Sequence, residues 1–117
     1  MSVIEVEQPG MIERRKWLRA SVQLPLRVVD TEDTFRVLVG ETRDLSVGGM
    51  RAALDGPLFG TIEATVHIEL RDGSPLVCQA MVAGGGAVAD GWEYRLAFRD
   101  LSEVEVAALE DLVESGS

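Results

Sequence analysis

The sequence is short of the residues that most often carry chemistry: it has one cysteine, Cys78, and one histidine, His67. One cysteine cannot close an internal disulfide, and together with a single histidine it cannot supply the ligands of a zinc site. Long apolar runs are missing as well, none approaching the roughly 18 residues that a membrane span requires. The opening MSVIEVEQPG has neither the basic nor the apolar region of a secretory signal. A cytoplasmic protein with no membrane partner, no metal and no cofactor is the expectation. Basic residues are scarce too: 11 Lys and Arg against 20 Asp and Glu leave a formal charge of −9. Non-specific binding to a nucleic acid polymer needs a broad positive surface, so no such partner is expected.

What is present is the composition of a folded domain. With 117 residues, 46% apolar and 26% charged, the chain is large enough for one core and too short for a second, catalytic domain. The few cations are unevenly placed. Arg14, Arg15, Lys16 and Arg19 fall within six consecutive positions, while the acids are spread along the remainder. A single local anion site on an acidic body is the inference.

Residues 1–12, broken by Pro9-Gly10, read as a tail, and residues 13–115 as one domain. Period-two alternation then sets in. Val22, Leu24, Leu26 and Val28 share one face, and Pro25 on the other marks an open face or edge. Phe35, Val37 and Val39 alternate in a second strand running toward Thr42. Gly48-Gly49 permits a reversal before Met50, Ala52 and Leu54. Ile62, Ala64, Val66, Ile68 and Leu70 form the clearest strand face. Asp72-Gly73-Ser74 is a turn, and Pro75 to Val82 returns from it. The run Gly84-Gly85-Gly86 reads as a flexible hairpin before Trp92, Tyr94, Leu96 and Phe98. Six strands at hairpin spacing, with no βαβ rhythm, predict an antiparallel barrel or sandwich over about residues 20–99.

The chain ends differently. Ser102 and Glu105 have the spacing of a capping box, with Leu101 and Val106 at the staple positions. They predict a helix over about residues 102–114 whose stripe of Val106, Leu109, Leu112 and Val113 packs on the barrel mouth or on a partner helix. The second possibility admits a homodimer.

Two segments concentrate the polar chemistry: Arg15-Lys16-Trp17-Leu18-Arg19, an RxxxR spacing just ahead of the first strand, and Asp44-Leu45-Ser46-Val47-Gly48-Gly49, a DxSxxG spacing at the second reversal. In this order and surroundings they resemble the PilZ domain family over residues 13–115. The resemblance implies an all-β fold with one C-terminal helix, a six-stranded antiparallel PilZ-type barrel, and cyclic di-GMP as ligand. It implies guanine and phosphate contacts from Arg15 and Arg19, a guanine-edge acceptor in Asp44, and further contacts from Ser46 and Gly49. Arg14 is where a second ligand molecule would stack. Arginine suits such a ligand, because its planar fork can grip adjacent acceptors, bridge to phosphate or stack on a purine. Trp17 either anchors the segment or lines the site, and Ala97 stands where the family commonly has glycine.

The expectation is therefore a cyclic di-GMP receptor that changes conformation and signals to an unknown downstream protein. The alternative is a nucleotide-independent interaction module of the same fold. Catalysis is not expected, since His67 lies on a polar strand face, Ser46 lacks a nucleophile elbow, and no acid–base pair or metal set can be assembled.

Overall fold

The computed structural model describes residues 19–115. Six strands, β1 (Pro25–Asp30), β2 (Val37–Leu45), β3 (Gly49–Leu54), β4 (Glu63–Glu69), β5 (Pro75–Val88) and β6 (Gly91–Arg99), precede one helix, α1 (Glu103–Ser115). The strands close into a barrel in the order β1-β2-β3-β6-β5-β4, with every pairing antiparallel.

Alternation builds the interior. Leu26 and Val28 of β1, Ala64, Val66 and Ile68 of β4, and Leu76, Cys78 and Ala80 of β5 are all buried in one core. Val22 and Leu24 are buried too, although they lie ahead of β1. They are held by Thr42, whose hydroxyl accepts from the Leu24 amide at 2.9 Å and donates to the Val22 carbonyl. A bridge between Ala20 and Leu45 extends this attachment, so the entry segment runs along β2 beyond the end of β1.

One end of the barrel is closed by the β3–β4 connection. Leu58 is buried there, and its amide donates to the Tyr94 hydroxyl at 3.0 Å. Beside it the Asp30 carboxylate accepts from the Thr61 hydroxyl at 2.7 Å and from the Glu32 amide at 2.8 Å. These bonds, the Thr61 hydroxyl first, hold the Asp30 carboxyl below its ordinary range.

Helix α1 begins with the expected capping box: the Ser102 amide donates to Glu105 Oε1 at 3.0 Å, and the Glu105 amide to Ser102 Oγ at 3.1 Å. Of the two candidate docking sites for its stripe, the structure selects the chain's own barrel. Leu109, Leu112 and Val113 are buried in the common core, against β5 and β2. Each such burial is worth about 1.5–3 kcal/mol, which a three-turn helix needs because it is marginal alone.

The facing of β2, which alternation alone left open, is settled, and one expectation changes. Phe35, Val37 and Val39 face outward, at 97%, 43% and 45% exposure, while Leu38 packs against the core and Gly40 and Thr42 share its inward face. Gly40 fixes this phase, because a Cβ there would lie within van der Waals overlap of the Ala53 carbonyl. The glycine run is not a hairpin loop: β5 continues through it to Val88, paired with β6, and the turn falls at Ala89-Asp90. A register shift between Val82 and Gly84 and a φ of +130° at Gly85 accommodate the run.

Candidate functional site

The second motif sits where β2 departs from regular geometry. Thr42 opposes Ala52 and Asp44 opposes Arg51, so β2 carries a bulge between Thr42 and Asp44. In a regular strand residues two apart share a face, and Asp44 would follow Thr42 into the core. The extra residue, Arg43, reverses the phase. Thr42 stays buried, Asp44 turns outward beside Arg51, and Leu45 points inward opposite Met50.

Asp44 meets two guanidinium groups. Arg19 Nη1 lies 2.5 Å from Oδ1 and Arg51 Nε lies 3.0 Å from Oδ2. Arg51 also reaches toward Glu93, Nη1 to Oε1 at 3.7 Å. The carboxylate is only 16% exposed, whereas the Arg19 and Arg51 side chains are 55% and 49% exposed. Such pairs are individually worth roughly 0–1 kcal/mol, so an incoming ligand can displace them at small cost. A carboxylate has about four lone-pair sites. The arrangement thus keeps acceptor capacity on Asp44 while presenting donors on either side of it.

Ser46 and Gly49 build the loop that follows. The Ser46 hydroxyl accepts from the amides of Gly48 and Gly49, each at 3.2 Å, and donates to the Gly49 carbonyl at 3.2 Å. The same carbonyl accepts from the Ser46 amide at 2.8 Å. Ser46 is consequently buried and its hydroxyl is engaged within the turn. At Gly49 a Cβ would stand 2.4 Å from the Leu96 carbonyl of β6, so glycine is what lets β3 approach β6 there.

The structure therefore brings Arg19 to Asp44 on the outer wall, across 25 residues, with Ser46 and Gly49 buried in the turn that follows Asp44. Arg14, Arg15 and Trp17 lie outside the described residues. Arg51 was not singled out in the sequence. Counting outward from the Val47-Gly48 reversal pairs 45 with 50 and 44 with 51, and that count alone would have found it.

The fold and site define the class: a small antiparallel barrel domain with a charged site on its outer wall. The model of the PilZ domain matches residues 13–115, and the chain belongs to the PilZ domain family. Among solved structures, the PilZ domain of YcgR from Escherichia coli with c-di-GMP is similar at a TM-score of 0.66 and 16% identity, covering 83% of this chain and 86% of that one. The PilZ domain of CeSA from a cellulose-synthesizing bacterium gives 0.61 and 21%, covering 82% and 94%. The inhibitor of motility of Bacillus subtilis (MotI/DgrA) gives 0.66 and 16%, covering 83% of this chain but only 47% of that longer protein. No curated protein matches the sequence.

Proposed function

We propose that this domain is a receptor for cyclic di-GMP that performs no chemistry and passes ligand occupancy to a protein partner. The observation that carries the reading is the ion pair between Arg19 and Asp44, which joins the RxxxR and DxSxxG segments on the outer wall. Two guanidiniums beside a carboxylate match a ligand with anionic phosphates and a guanine edge, since arginine pairs with the former and a carboxylate accepts from the N–H groups of the latter. The Escherichia coli relative of the same fold is described with c-di-GMP, which supports the same ligand here. In this reading Arg15 and Arg19 grip the ligand, Asp44 selects guanine, Ser46 and Gly49 shape the surface under it, and Arg14 admits a second molecule. The partner's response then comes from its different affinity for the free and occupied surfaces. Titration calorimetry with cyclic di-GMP tests it. Binding at micromolar concentration or tighter, lost in Arg19→Ala, is the expected result; no heat at high ligand concentration would replace the reading with a nucleotide-independent interaction module.

A further inference from the structure

We infer that the ligand site extends past Asp44 across β3 to Arg95 on β6, whose guanidinium forms a platform for a purine. This rests on the reading of the domain as a cyclic di-GMP receptor and assigns that ligand a further contact.

The barrel register aligns four outward positions in one row: Asp44 on β2 opposes Arg51 on β3, Arg51 opposes Arg95 on β6, and Arg95 opposes Gly84 on β5. At the spacing of adjacent strands, Arg95 stands roughly 10 Å from Asp44, within the span of one dinucleotide. Two like charges directly opposite across an antiparallel pair are unfavourable unless something compensates them. Arg51 is compensated by Asp44 and Glu93. Arg95 takes part in none of the ion pairs among the described residues, even though Glu93 lies two positions away on the same face.

The strand beneath Arg95 is cleared for it. A Cβ at Gly84 would stand 2.4 Å from Arg95 Nη2 and 3.3 Å from Cζ, so the guanidinium occupies the space a side chain would fill. Of its outward neighbours Ala53, Ala97 and Gly86 are small, and Arg95 is exposed. A planar cation without an ion-pair partner among the described residues, on a floor that includes Gly84 and in line with the guanine-edge acceptor, fits the face of a purine whose phosphate is held nearer Arg51. Within the glycine run of β5 it is Gly84 that gives this room, while Gly85 answers to its positive φ and to the backbone of β6.

Calorimetry with cyclic di-GMP on the intact chain and four variants tests the inference. Arg95→Ala is expected to weaken binding at least tenfold with an unchanged melting temperature, because the side chain is exposed. Arg95→Lys keeps the charge but loses the plane, and should bind as weakly as Arg95→Ala. Gly84→Ala leaves every charge in place but displaces the guanidinium, and should also weaken binding. Arg19→Ala serves as the reference for loss of the primary contact. Arg95→Ala binding within twofold of the parent while Arg19→Ala loses binding would overturn this inference alone, as would Arg95→Lys matching the parent. No binding by the parent chain would overturn the receptor reading and this inference with it.

Discussion

Thr42 and Asp44 stand two residues apart on β2 and face opposite sides of the barrel wall, Thr42 wholly buried against the entry segment and Asp44 outward beside Arg51. The bulge at Arg43 makes both orientations possible, and so links core attachment to the geometry of the proposed site. Thr42→Val keeps the shape but removes the acceptor for the buried Leu24 amide and the donor to Val22. An unsatisfied buried amide costs about 1–3 kcal/mol. Urea unfolding should show a loss of that size, largely restored in Thr42→Ser.

Asp44→Ala separates binding from stability. Its two ion pairs are with exposed arginines, each worth about 0–1 kcal/mol, so the folded state should lose no more than about 2 kcal/mol. Cyclic di-GMP binding should fall by about 1.5–3 kcal/mol, the worth of a hydrogen bond to a charged group, or roughly 10- to 150-fold. Calorimetry and thermal melts on one preparation would compare the two effects.

Neighbouring glycines should respond in opposite ways. Gly49→Ala places a methyl 2.4 Å from the Leu96 carbonyl, a backbone atom that cannot swing aside. Overpacking of this kind costs about 1–3 kcal/mol. At Gly48 the nearest atom is Ser46 Oγ at 3.8 Å, so Gly48→Ala should stay within about 0.5 kcal/mol of the parent. Denaturant midpoints of the two variants check the contrast.

Acid should loosen the barrel end built around Asp30. Its carboxyl is held below the ordinary value of 3.8, first by the Thr61 hydroxyl and then by the Glu32 amide. A depressed carboxyl contributes stability that is fully present above its unfolded-state value and is lost as pH falls through the lower folded-state value. Melting temperature should therefore decline below about pH 4, and Thr61→Val, by raising the Asp30 value, should flatten that decline.

Cys78 should be inert in the native state. Burial, with the negative charge of Glu105 added, pushes its thiol up to about 12. Since the thiolate is the reactive form, a thiol reagent at pH 8 should label Cys78 only as the chain unfolds, and the labelling rate in rising urea would show it.

Much of this architecture was legible in the sequence. Val22, Leu24, Leu26 and Val28 alternate cleanly because a barrel wall has one dry face, and Ser102 with Glu105 announces α1 through local bonds alone. Arg19 and Asp44 were legible as candidates because their motifs are compact. The bulge was not, because a single extra residue such as Arg43 changes the phase of a strand and leaves no mark in composition. Arg51 carries no motif of its own and emerges only when pairs are counted outward from the turn. Which face of β2 turns inward was not legible, because Phe35, Val37 and Val39 are as apolar as a core face; at Gly40 the backbone approach of β3 leaves no room for a Cβ. The Gly84-Gly85-Gly86 run has poor strand propensity and reads as loop until its pairing with β6 is seen.

Closure of the barrel has a kinetic consequence. Leu26 pairs with Gly40 on one side and with Ile68 on the other, and the latter is 42 positions away. The entropy of bringing β1 and β4 together must be met before their pairing gives any return, which places such a topology among slow folders, with refolding in roughly the millisecond-to-second range. In the proposed reading, exchange of ligand at Asp44 requires only that its ion pairs with Arg19 and Arg51 part on the outer wall. The hoop can therefore remain shut while the proposed site fills and empties many times, so that a receptor built this way responds on a timescale decoupled from the slow step that made its scaffold.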